Sequence, residues 1–209
     1  IPRTAALTLY GDLDVSYLKD KPHGRQIVMT KLASERSRPM VERFVNQIID
    51  RGEQVFVVCP AIETVEETSD QLFMTDDKKA VKKEFDRLTT VFPHRRIGLL
   101  HGKLRQAEKE QVLTLFREGR LDILVTTSVI EVGVDISQAS AIIIEGAEHF
   151  GLASLHQLRG RVGRGLNQAY CFLFADKWNE TTKKRLQLMV DHDDGFTLAE
   201  KDLLMRGPG

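Results

Sequence analysis

The chain alternates between short apolar runs and longer stretches in which apolar residues return every three or four positions, and from Arg25 onward the pattern is regular. Residues 26–30, 54–59, 96–100, 122–126, 141–145 and 168–175 are predicted strands. They are continuous rather than alternating, as strands buried on both faces require. The stretches between them carry helical spacing. Ser37 can cap a helix with Pro39 in its first turn, and Met40, Val41, Phe44, Val45, Ile48 and Ile49 follow before Gly52 stops it. After a charged loop from Ile62, a second helix ends near Phe92. A third covers 108–116, with Val112, Leu115 and Phe116 buried and Gly119 as its stop. Residues 181–192 form another, burying Leu186, Met189 and Val190. Asp193-Asp194-Gly195 breaks it, and Thr197 and Glu200 have capping-box spacing for a last helix through Met205.

Buried strands separated by amphipathic helices imply an α/β fold: a parallel sheet with helices on both faces. A helical hairpin follows it. The expected organisation is a connector over 1–24, with room for one short strand, a sheet domain over 25–176 and the hairpin over 177–209. Ligands in such sheets bind at the carboxyl ends of the strands. That rule gathers His101-Gly102, residues 126–135, residues 145–148 and the start of the helix after them along one edge.

The helix expected over 155–165 (LHQLRGRVGRG) carries the most chemistry. At about 3.6 residues per turn, Gln157, Arg161 and Arg164 share one face and Leu155, Leu158 and Val162 the other. One side buries and the other presents two guanidinium groups and an amide. Gly160 and Gly163 cost about 1 kcal/mol each in helix propensity. They also let a ligand approach the arginine face closely. Arginine offers fixed charge and a planar fork suited to phosphate. A solvated basic helix is the plain alternative for any arginine pair.

A second segment separates the two readings. Thr126-Thr127-Ser128 leaves a strand and runs on to Gly133 and Asp135. Hydroxyls and free N–H groups at such a turn bind phosphate, Gly133 frees the backbone, and Asp135 offers a carboxylate to a ribose hydroxyl. His101-Gly102-Lys103 leaves another strand on the same edge; a turn histidine or a phosphate contact is preferred there over a metal or catalytic role. Glu145 resembles a magnesium-holding acid, but no phosphate loop accompanies it: the stretch 98–104 has the wrong spacing and no Ser or Thr. The chain offers phosphate-seeking arginines and no site for them to complete, so nucleotide is expected on another domain.

Lys+Arg and Asp+Glu number 30 each, so any phosphate-binding surface must be local rather than spread over the molecule. Cys59 and Cys171 lie in apolar runs and read as buried reduced thiols in a cytosolic setting. There is no apolar run long enough to span a bilayer and no metal-ligand spacing of Cys and His. The chain opens at Ile1 and stops just after a turn signal, which reads as a piece of something larger.

These motifs carry a resemblance that runs nearly end to end. The Gln157–Arg164 pattern, Q-x-x-G-R-x-G-R, resembles the last motif of superfamily 2 helicases, and residues 126–136 resemble motif V. Residues 1–4 (IPRT) resemble the tail of motif III, 54–63 (QVFVVCPAIE) motif IV, and 145–151 the segment leading into the arginine helix. Residues 194–209 (DGFTLAEKDLLMRGPG) resemble the translocation motif that follows the motor in RecG-type ATP-dependent DNA helicases and in transcription-repair coupling factors; His156 and Pro208 favour the RecG type.

The resemblance implies a second RecA-like motor domain, with ATP and Mg2+ held mainly by a first motor domain absent from this sequence. It implies γ-phosphate contact by Arg161 and Arg164, with Gln157 tying the helix to the other lobe. Gly133 and Asp135 fall at the nucleotide, Thr127, His101 and Gly102 on the DNA backbone, and Arg206 in translocation coupling. The implied partners are branched double-stranded DNA and the first motor and wedge domains of the same chain, in the bacterial cytoplasm on the nucleoid, with no membrane. A coupling-factor motor lobe and a non-catalytic interaction module are the competing readings.

Overall fold

A computed structural model describes residues 27–60, 77–127, 139–163, 165 and 167–206, with the side chains of residues 77–79, 203 and 206 left aside. The connector expected over 1–24, the loop from Ile62, and Gly133, Asp135 and Arg164 lie outside the described residues. Among the described residues six strands form one sheet: β1 (Met29–Ala33), β2 (Gln54–Cys59), β3 (Ile97–Leu100), β4 (Ile123–Thr127), β5 (Ala139–Ile144) and β6 (Tyr170–Phe174). Their order is β1-β6-β5-β2-β4-β3, and every pairing is parallel.

Side chains of successive strand residues point to opposite faces, and the two faces carry separate cores. Val55, Val57 and Cys59 join Ile123, Val125, Ile143 and Phe172 on one face. That face is covered by α1 (Arg38–Asp50) through Val41, Val45 and Ile48, and by α2 (Asp77–Val91) through Val81 and Leu88. Phe56 and Val58 join Leu124, Ile142, Ile144 and Leu173 on the other. There α3 (Gln106–Arg117), α4 (Leu152–Arg159), α5 (Glu180–Asp191) and α6 (Gly195–Arg206) supply Phe116, Leu155, Leu186, Met189 and Leu198. Both faces are therefore sealed by helices, which is why β2, β4 and β5 are buried at every position.

The differences from the sequence reading have local causes. β1 is an edge strand with the burial of a half-exposed surface, so Thr30 and Lys31 belong to it and the apolar-run criterion placed it too early. In α3 the buried positions are Leu113 and Phe116, while Val112 and Leu115, both expected inside, are only partly buried. Val190 is not buried; it lies on the outer face of α5. Asp194, not Thr197, caps α6: its carboxylate accepts from Thr197 N at 2.9 Å and from Thr197 Oγ1 at 2.7 Å. The arginine helix ends at Arg159, short of the predicted 165, because Gly160 closes it with its N–H on His156 O and Leu158 O, and Gly163 then takes φ +78°.

Candidate functional site

The sheet register sets a rim. Leu100 pairs with Thr126, Val58 with Thr126 and Ile144, and Cys59 with Thr127. The residues that leave β3, β2 and β5, namely His101, Pro60 and Glu145, therefore stand with Thr127 along one edge, as the strand-end rule anticipates. His101 is buried, and Gly102 and Lys103 form an exposed turn ahead of α3. Thr126 Oγ1 donates to Thr127 O at 2.9 Å. Thr127 is fully buried, and its hydroxyl finds no partner among the described residues.

The helix α4 delivers the amide and one arginine. Leu155, Leu158 and Val162 are buried, as expected, and Gln157 is exposed. Arg161 is half-buried and sits in the turn after the helix, its N–H on Leu158 O at 2.9 Å. The two glycines thus serve to end the helix and turn the chain, rather than to clear a helix face.

Arg159 is the residue the sequence reading passed over. It is 4% exposed and belongs to the buried face with Leu155, Leu158 and Val162. Its guanidinium donates to Met189 O at 2.6 Å and to His192 O at 3.0 Å, and lies 3.6 Å from Asp193. Those carbonyls are at the end of α5, where unpaired C=O groups accept cations well. Burial lowers the Arg159 guanidinium from its ordinary value, and Asp193 opposes that shift. The signal was available, because position 159 is one turn from 155 on the apolar side. Next to it, His156 Nδ1 lies 3.2 Å from Arg159, and its ring fills the space that a Cβ on Gly195 would need, at 2.8 Å. The helix α4 and the start of α6 are therefore in direct contact at His156 and Gly195. Arg206 ends α6.

The connection from β5 to α4 is held from two sides. Arg38 binds both oxygens of Glu145, at 2.8 and 2.9 Å, and its guanidinium lies 4.0 Å from the centre of the Phe174 ring. Burial would lower the Arg38 guanidinium, but its bonds to Glu145 and Glu35 outweigh this and raise it. Burial raises the Glu145 carboxyl, with Arg38 pulling against the shift. On the other side, Arg185 of α5 donates to Phe150 O and Glu148 O. Glu148, His149 and Asp176 bring ligand atoms within 4.8 Å of one another. Glu148 Oε1 there already accepts the N–H groups of Asp176 and Lys177, so it caps the exit of β6. With both oxygens of Glu145 bound to Arg38, that strand-end acid does not suit magnesium. Among the described residues, no helix is long and apolar enough to cross a membrane.

Comparison with known proteins agrees with this geometry. Residues 40–165 match the helicase conserved C-terminal domain. The chain is 47% identical over 210 residues to the ATP-dependent DNA helicase RecG of Synechocystis sp., covering 100% of this chain and 24% of that protein. It is 48% identical over 209 residues to the RecG of Thermotoga maritima, covering 100% of this chain and 26% of the relative. A solved structure of RecG bound to a three-way DNA junction superposes with a TM-score of 0.80 at 44% identity, covering 100% of this chain and 26% of that one. A yeast Dbp5 structure bound to RNA shares the fold at TM-score 0.60 and 16% identity, covering 98% of this chain and 51% of that one. The chain thus spans 24% and 26% of the length of these two curated relatives. It belongs to the helicase conserved C-terminal domain family, is similar to RecG proteins along its whole length, and its sheet is the RecA-like fold of that family.

Proposed function

We propose that this chain is the second motor lobe of an ATP-dependent double-stranded DNA translocase that remodels branched DNA, such as stalled forks and Holliday junctions, in recombination and repair. The observation that carries this reading is the whole-length similarity to RecG proteins, together with an exposed Gln157 on α4 and Arg161 in the turn that follows it; in the sequence Arg164 follows three residues on. Neither the coupling-factor reading nor the interaction-module reading is favoured by these relatives.

In this reading ATP and Mg2+ are held mainly by the first motor domain of the same chain. Arg161 and Arg164 supply positive charge to the γ-phosphate, and Gln157 ties α4 to the opposite lobe. Gly133 and Asp135 lie at the nucleotide. Thr127, His101 and Gly102 follow the DNA backbone, and Arg206 passes motion on to the duplex. The partners are branched duplex DNA and the first motor and wedge domains; the setting is the bacterial cytoplasm, on the nucleoid. The organisation is a connector over 1–24, a motor lobe over 25–176 and a translocation hairpin over 177–209.

Residues 1–209 alone should show no DNA-stimulated ATPase, since half the site is elsewhere; robust turnover by this piece would refute the two-lobe account. In the full-length protein, Arg164→Ala should lower turnover by about 10³ or more while ATP affinity stays within about tenfold. A large loss of affinity at normal turnover contradicts the role given to Arg164.

A further inference from the structure

The segment that carries Gln157 and Arg161 begins where the chain leaves β5, and that exit is fixed at two consecutive residues. At Glu145 the lock is electrostatic. Arg38 and Glu145 are each 15% exposed, and the guanidinium engages the carboxylate through Nη1 and Nη2 while Nε and Nη2 hold Glu35. At Gly146 the lock is steric: φ is +55°, and an added Cβ would lie 3.0 Å from Pro60 Cγ. From there to α4 the chain has no slack, since Ala147, Phe150, Leu152 and Leu155 are all buried.

A buried ion pair is a poor way to stabilise a fold, because apolar residues of similar volume serve as well or better. What a two-pronged arginine–carboxylate contact provides is direction, through the planar fork. We infer that Arg38 is a positioning residue for the arginine-bearing segment, an inference that rests on the motor reading above. By holding both oxygens of Glu145, it sets the angle at which the chain leaves β5 and hence where the turn after α4 stands on the rim. Arg38 contacts no reacting atom in this role. A misplacement of about 1 Å at a reacting centre costs on the order of 10²-fold in rate.

The test uses the full-length protein at saturating branched DNA. A double variant, Arg38→Met with Glu145→Leu, removes the pair and leaves no orphaned charge. It should melt near the wild-type temperature and keep KM for ATP within about threefold, while kcat falls by roughly 10–100-fold. Arg38→Lys keeps the charge without the fork and should fall between. A double variant with wild-type kcat, or with raised KM at unchanged kcat, overturns the inference. If the double variant does not fold, Glu145→Gln is judged by the same kcat and KM criteria. A wild-type protein without DNA-stimulated turnover overturns the motor reading and this inference with it; active wild type beside an equally active double variant overturns this inference alone.

Discussion

Arg159 shows how a buried charged side chain finds partners that offset part of the cost of leaving water. It leaves α4 on the apolar side, crosses to α5 and ends on two carbonyls that the end of that helix leaves without partners. Removing it orphans Met189 O, which is buried, and leaves His192 O at a partly buried site without its donor. Hydrogen bonds to a charged group of this kind are worth about 1.5–3 kcal/mol each net. Arg159→Ala should therefore cost residues 1–209 about 3–6 kcal/mol, lowering the melting temperature by roughly 10–20 °C. A thermal melt of the two proteins side by side checks this, and a shift under about 2 °C contradicts the anchoring role. Composition does not announce such a residue, since arginine is a surface residue by habit. Its place in the helical period does.

At the scale of elements, legibility followed burial. The span 54–59 was readable to its ends because β2 is buried at all six positions and nothing polar follows Gln54 within the run. β1, at the sheet edge, was displaced because its outward positions need not be apolar. The arginine helix was overrun because the periodicity of Leu155, Leu158 and Val162 continues through residues that are buried but no longer helical. The start of α6 was misassigned because Thr197 and Asp194 both have capping chemistry, and only the coordinates show which side chain accepts. That cap has a pH signature. The N–H and hydroxyl of Thr197 hold the Asp194 carboxyl below the ordinary carboxylate range. A lowered folded value means that its stabilising effect is present above the unfolded pKa of about 3.9 and is lost as the pH falls through the folded value. Asp194→Ala should cost about 1 kcal/mol at neutral pH. The difference from wild type should shrink once the pH falls below about 4. A difference that is constant across that range, followed by denaturant unfolding, would show that the carboxylate charge does nothing at this helix end.

For the whole molecule, the balance of charges makes a sharp demand. With Lys+Arg and Asp+Glu at 30 each, these 209 residues have no general positive field, so in the motor reading proposed above any attraction of this lobe for DNA would come from particular cations on the strand-end rim. His101, Gly102 and Lys103 stand on that rim, in the turn where β3 gives way to α3, and the exposed Lys103 is the strong cation among them. Contacts of this type go to phosphate and read no sequence. Each phosphate neutralised on duplex DNA contributes about 0.9 to the slope of log affinity against log salt. In the full-length protein, Lys103→Ala should therefore weaken duplex binding by a similar factor on unrelated sequences and flatten the salt slope by about one. Titrations at several salt concentrations on two unrelated duplexes measure both quantities together. A loss confined to one sequence would make Lys103 a base reader. An unchanged slope would move the DNA track away from the β3 end of the rim, and with it the roles proposed for His101 and Gly102.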